Sequence, residues 1–168
     1  ATGYTNNDNA TEFTLTLRKG VTFQDGTPFD AEAVKANLDR LADQTKGLKR
    51  NSLYKMIANV TVLAPDQVKI DLNQSFGAFI NTLAHPSAVM WSPAILKQYP
   101  EEAQLRLHPV GTGPFKFVAW PPGKAVSLVQ YAVYWHKGWP KVGIVTFSPS
   151  PDYATPVSLI QSAHANAI

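Results

Sequence analysis

The sequence predicts an α+β domain with a mixed, mainly antiparallel sheet and three or four short helices. Three observations lead there. Stretches with strand alternation outnumber helical ones, neighbouring strands are mostly joined by hairpin-length turns, and no regular strand–helix–strand alternation runs through the chain. At 168 residues the chain fits a single domain over 1–168, large enough to bury roughly 70% of its unfolded surface. With 45% hydrophobic and 16% charged residues, it lies outside the composition of disordered chains.

Phe13 to Arg18 opens the sheet, with Phe13, Leu15 and Leu17 on one face and Thr14, Thr16 and Arg18 on the other. Lys19-Gly20 turns it, Val21 to Phe23 reads as a short second strand, and Asp25-Gly26-Thr27-Pro28 is turn chemistry. Asp30 then suits the N-cap of a helix. Phe29 can staple onto Val34, and Val34, Leu38 and Leu41 form one apolar stripe that runs on toward Gly47. Val60 to Val62 and Val68 to Leu72 flank Ala64-Pro65-Asp66-Gln67 as a hairpin. Ser75 is expected to cap a second helix carrying Phe76, Phe79, Ile80 and Leu83, stopped by Pro86. Ser92-Pro93 opens a third, with proline at the first helical position. Phe115 to Trp120 and Val126 to Tyr131 pair across Pro121-Pro122-Gly123, Val142 to Phe147 adds a strand, and Thr155-Pro156 starts a last helix. The chain stops within the last turn of that helix, which gives the expectation that it is a piece of something larger.

Composition and motifs remove several function classes. The net charge is +3, but the cations are scattered and the densest group is Lys46, Lys49 and Arg50, so no nucleic-acid stripe forms. There is no cysteine, which removes disulfides, thiolate metal sites and thiol nucleophiles. No run reaches membrane-spanning length, and "ATGYTNNDNATEF" lacks the basic start and apolar middle of an export signal. In "HPVGTGPFKF" the glycine spacing invites a phosphate loop. However, Lys116 stands where a dinucleotide fingerprint needs glycine, Pro114 stands where a P-loop needs lysine, and the segment feeds a strand rather than a helix. Gly111 and Gly113 are therefore expected to supply unusual backbone angles at a turn.

His85, His108, His136 and His164 show no metal-ligand spacing, Glu101-Glu102 reads as an exposed turn, and no serine sits in a nucleophile elbow. The expectation is a protein without metal, cofactor or catalysis. Trp91, Trp120, Trp135 and Trp139 are core fillers or grips for an apolar ligand, with core the default. Lys49-Arg50-Asn51 reads either as a solvated loop or as an anion-reading guanidinium surface. His85 stands at a helix end before Pro86, where a protonated imidazole suits the helix dipole and a loop often faces a cleft.

Several stretches together resemble the extracytoplasmic solute-binding proteins of ABC importers for peptides, nickel and glutathione: "FTLTLRKGVTFQDGTPFDAEAVKANLDRL", "LKRNSLYKMIANV", "FGAFINTLAHPSAVMWSP", "HPVGTGPFKF", "YWHKGWPKV" and "IVTFSPSPD". Order and spacing match, and the Leu-Lys-Arg and Ala-His-Pro-Ser runs are most similar to glutathione- and dipeptide-binding members. The resemblance implies a partial first lobe of a two-lobed, type II periplasmic-binding-protein-like fold, with the leading strand and the second lobe absent. It implies a non-catalytic protein that captures a peptide or glutathione and delivers it to membrane permease subunits. The protein would work in the periplasm, or as a cell-surface lipoprotein in a Gram-positive source, without nucleic-acid binding or membrane insertion. It also implies ligand-binding roles for Arg50, Asn51, Lys49 and Tyr54 in the loop after the first helix, and for His85 in a second loop near the cleft. The Gly-Thr-Gly-Pro segment becomes a structural turn. The chain departs from the family's pattern at Gln130 to Trp135 and near His164, which stands close to where an acid is expected. The alternative reading is a protein–protein interaction module, or a fragment that binds no ligand of its own.

Overall fold

The computed structural model describes residues 1–150, 154–162 and 165–167. Its elements are β1 (Gly3–Asn6), β2 (Glu12–Thr16), α1 (Ala31–Ala42), β3 (Ile57–Ala64), β4 (Gln67–Leu72), α2 (Phe79–Leu83), α3 (Pro93–Gln98), α4 (Glu102–Leu105), β5 (Phe115–Ala119), β6 (Val126–Gln130), β7 (Ile144–Phe147) and α5 (Ala154–Gln161). The strands build two sheets, of order β1-β2-β4-β3 and β5-β6-β7. Every pairing in them is antiparallel.

The first sheet carries the core. Its register sets Phe13 opposite Ile70 and Leu15 opposite Val68, and Ile70 in turn opposite Val60. Period-2 alternation therefore puts the apolar set of three strands on one face. Onto that face α1 lays Val34, Leu38 and Leu41, all buried as their spacing requires. Phe79 of α2 closes one end, its ring centroid 5.2 Å from that of Phe13. Fully burying each such side chain contributes about 1.5–3 kcal/mol.

Several expected elements differ, each for a local reason. Val21 to Phe23 is no strand but the arm of a tight turn. Thr22 bridges Pro28, and the Phe23 N–H donates to the Thr27 carbonyl at 2.8 Å. Helix α1 starts as expected, with Asp30 accepting from the Ala33 N–H at 2.9 Å, but it ends at Ala42. There the Asp43 carboxylate takes the Thr45 N–H at 3.0 Å and tightens residues Gln44–Lys46 into a 3-10 turn, which Gly47 closes. Ser75 does not cap α2. The Phe76 N–H is already committed to the Ala10 carbonyl at 3.0 Å, and the helix begins only after Ala78. Glu101-Glu102 opens α4, an extra single turn anchored by buried Leu105, and it raises the described α-helices to five. The polar start of the chain pairs as β1, an edge strand exposed along its length.

The second sheet is built differently, since none of the residues in β5, β6 and β7 is buried. Ile144 and Phe147 are 68% and 60% exposed. Trp120, Trp135 and Trp139 also stand exposed rather than in the core, and the Arg18 guanidinium lies 4.4 Å from the Trp135 ring centroid. Gln24 and Tyr131 join this sheet to the first unit. Gln24 Nε2 donates to the carbonyls of Gly113 and Phe115 at 3.0 and 2.7 Å. The Tyr131 hydroxyl donates to the Phe23 carbonyl at 3.1 Å. The Gly-Thr-Gly-Pro segment is thus a strapped turn. Contrary to expectation, neither of its glycines is in the left-handed region.

Candidate functional site

Lys49, Arg50 and Asn51 follow the turn closed by Gly47. Arg50 sits at φ +63°, ψ +17°, in the left-handed region, which costs a non-glycine residue about 1–2 kcal/mol. The surrounding backbone holds it there. The Leu53 N–H donates to the Arg50 carbonyl at 3.0 Å, the Asn51 N–H to the Leu48 carbonyl at 3.2 Å, and Gln44 Nε2 to the Asn51 carbonyl at 3.1 Å. Lys49 and Arg50 are exposed and Asn51 is half-buried.

From Asn51 the chain winds as a 3-10 segment to Tyr54, which points inward and is fully buried. Its ring belongs to the core, so only its hydroxyl takes part in polar contacts. That hydroxyl lies 2.7 Å from Ser87 Oγ, and Ser87 Oγ lies 2.8 Å from His85 Nδ1. The Ser87 N–H also donates to Nδ1, at 3.1 Å, so His85 caps the short 3-10 turn Pro86–Ala88. His85 thus stands just past the C-cap of α2, as expected, and its Nδ1 serves the turn that follows.

The structure therefore brings Tyr54 and His85 together through Ser87, a residue the sequence reasoning passed over. The signal was present in His-Pro-Ser, where a side-chain acceptor precedes a proline at the first position of a turn. Arg50, Asn51 and Lys49 stand on the same loop as Tyr54, but among the described residues they share no hydrogen bond or ion pair with His85. A shallow groove of about 570 Å³ lies elsewhere, between the end of α1 and α3–α4. Arg40, Lys46, Lys97 and Glu102 line part of it, and none of the five candidate residues does. His164 lies outside the described residues. Among the described residues no three His, Asp or Glu side chains group as a metal site, and no helix is long and apolar enough to cross a membrane.

An antiparallel four-stranded sheet backed by one helix and strapped to a second sheet matches part of a lobe in solved proteins of the type II periplasmic-binding fold. The structure aligns with AgaA of A. tumefaciens R10, solved with agropinic acid, at TM-score 0.88 and 32% identity over 99% of this chain and 33% of that one. It aligns with the oligopeptide-binding protein AppA of Bacillus subtilis, solved with a nonapeptide, at TM-score 0.86 and 25% identity over 99% of this chain and 34% of that one. The chain belongs to the bacterial extracellular solute-binding proteins, family 5, whose middle-region model matches residues 1–167. The glutathione-binding protein GsiB of Salmonella choleraesuis is 46% identical over 165 residues, 98% of this chain and 32% of its own length. The chain thus spans about a third of the length of the curated relatives it matches.

Proposed function

We propose that this chain forms part of the first lobe of a two-lobed solute-binding protein. The protein captures glutathione or a short peptide outside the cytoplasmic membrane and passes it unaltered to the permease subunits of an ABC importer. It works in the periplasm, or tethered as a lipoprotein at a cell surface. The observation that carries this reading is the 46% identity to a glutathione-binding protein across 98% of the chain. The local geometry supports it. Arg50 holds a costly left-handed backbone, a kind of strain that gathers at ligand clamps, and its guanidinium has no ion-pair partner among the described residues. Its fork matches a ligand carboxylate. Lys49 adds charge, Asn51 offers an amide, and His85 stands on the second loop.

On a single lobe such a pair stays in water and contributes no more than about 1 kcal/mol, so the chain alone binds weakly. Closure by a second lobe would desolvate it and raise its worth. The test replaces the matching segment of the Salmonella glutathione-binding protein with this chain and titrates reduced glutathione calorimetrically. Binding by the chimera, reduced at least tenfold by Arg50→Ala, is the expected result, about 1.4 kcal/mol or more. A folded chimera that binds neither glutathione nor a dipeptide overturns the reading.

A further inference from the structure

We infer that His85 is a ligand-binding donor, locked by Ser87 and Tyr54 in the tautomer that carries its proton on Nε2. It presents that N–H to an oxygen acceptor, a carboxylate or peptide carbonyl, of a peptide-like solute. The inference rests on the solute-binding reading above and adds the chemistry of one contact.

The proton positions follow from the geometry. A backbone N–H can only donate, so the Ser87 N–H at 3.1 Å requires a lone pair on His85 Nδ1. Ser87 Oγ lies 2.8 Å from the same unprotonated nitrogen, which has no proton to give, so a hydrogen bond there comes from the serine hydroxyl and shares the one lone pair with the Ser87 N–H. With that hydrogen spent, the Tyr54 hydroxyl at 2.7 Å must be the donor to Ser87 Oγ. Every proton in the chain Tyr54, Ser87, His85 then has one position, and the neutral ring carries its own on Nε2.

The same chain fixes where the ring points. Tyr54 is fully buried, which anchors the far end in the core. Pro86 confines the His85 backbone to an extended conformation, observed at φ −67° and ψ +141°. Among the described residues no buried side-chain nitrogen or oxygen lacks a partner, and no hydrogen bond engages His85 Nε2. Nε2 is therefore not sealed from solvent. An imidazole held on one edge through Nδ1, with an open N–H on the other, donates to an oxygen and finds no acceptor in an ammonium. It discriminates the carboxylate or carbonyl end of a solute from its amino end. Ser87 and Tyr54 act through His85 and are positioning residues.

Two readouts test this. In the chain labelled with 15N in its histidine rings, long-range proton–nitrogen correlations distinguish the two tautomers directly. His85 is expected as Nε2–H at neutral pH, Ser87→Ala is expected to give a mixture, and Ser87→Thr is expected to restore the single form. In the chimera described above, His85→Ala and His85→Asn are expected to weaken reduced glutathione by about tenfold, the scale of one lost hydrogen bond. His85→Gln places an amide N–H where Nε2–H stands and is expected to recover most of that loss. An Nδ1–H signal for His85 in the unsubstituted chain overturns the inference whatever the binding data. Unchanged affinity in His85→Ala, in a chimera that does bind glutathione, overturns the contact and leaves the functional reading standing. A folded chimera that binds no glutathione overturns the functional reading, and the contact falls with it.

Discussion

Asn37 and Trp91 exchange two hydrogen bonds: Asn37 Nδ2 donates to the Trp91 carbonyl at 2.8 Å, and the Trp91 N–H donates back to Asn37 Oδ1 at 2.9 Å. A helix side chain here does what a neighbouring strand would do for an irregular segment. Asn37 is 2% exposed, and its Nδ2 also donates to the Ala33 carbonyl at 2.9 Å, so the buried amide is satisfied. The segment it holds follows directly on His85 and Ser87. Helix α1, which carries Asn37, leads in turn to the loop of Arg50. The pair thus ties both candidate loops to one rigid element.

Asn37→Ala is expected to cost about 2–3 kcal/mol, because it strands polar backbone in the interior rather than merely deleting a contact. Asn37→Asp should be at least as costly, since it turns a carboxylate toward the Trp91 carbonyl. Urea denaturation followed by tryptophan fluorescence measures both. An alanine variant within 0.5 kcal/mol of the parent, roughly the scatter of neutral surface changes, would contradict the role given to this pair.

Gln24 makes a second strap of the same kind, and its loss should have a local signature. Its amide holds Gly113 and Phe115, while its own N–H donates to the Gly111 carbonyl at 3.0 Å. Gln24→Ala is expected to speed proteolytic cleavage between Gly111 and Phe115 several-fold, with the sheet of β1 to β4 left intact. Adding Tyr131→Phe removes a further tie between the units and should increase the cleavage further. Cleavage that begins in β3 or β4 instead would show that the straps serve the whole fold.

What was legible in the sequence was whatever repeats. Phe13, Leu15 and Leu17 announced a strand face, and Val34, Leu38 and Leu41 announced a helix face. All six are buried where those periods put them. Elements lacking a period were missed. Strand β1 is held by backbone pairing with every side chain exposed, and α4 is a single turn with one apolar anchor. The straps of Gln24 and Asn37 join residues 91 and 54 positions apart, and such polar contacts leave no mark in a local pattern. The site divides in the same way. Lys49, Arg50 and Asn51 were visible as a cationic loop, whereas the left-handed backbone at Arg50 and the relay through Ser87 arise from packing that no single segment encodes.

The two classes of glycine in this chain predict opposite mutational signs. Gly26 sits at φ +86° in the turn after Asp25, so Gly26→Ala is expected to destabilise by about 1–2 kcal/mol. Gly113 has no such φ, and a Cβ there would meet nothing within 4 Å. Gly113→Ala should therefore leave stability unchanged or raise it by up to about 1 kcal/mol, through reduced freedom of the unfolded chain. Thermal melts of the two variants side by side decide the matter. A large loss in Gly113→Ala would mean that the Gly-Thr-Gly-Pro turn needs glycine for a reason other than backbone angle or space.

Acid should weaken the fold at the junction of this turn with α3. Burial pushes the Asp25 carboxyl up, but hydrogen bonds from the Ser92 hydroxyl, the Thr27 hydroxyl and the Thr27 N–H outweigh it and hold the group below its ordinary value. A folded-state value below the unfolded one means the stabilisation is fully present above the ordinary carboxylate range. It fades as the pH falls through the lowered value. Asp25→Asn is therefore expected to be less stable than the parent at neutral pH, with the difference shrinking as the solution is acidified and the parent's own carboxyl takes up its proton. Ser92 is the partner that makes this matter beyond the turn. Fully buried, it also accepts the Ala94 N–H at 3.2 Å as the N-cap of α3, so Ser92→Ala should remove both the cap, worth about 1 kcal/mol, and much of the acid sensitivity. Urea midpoints across an acid pH series for the parent and both variants provide the measurement. A gap between parent and Asp25→Asn that stays constant down the series would mean that the Asp25 charge does not stabilise this junction.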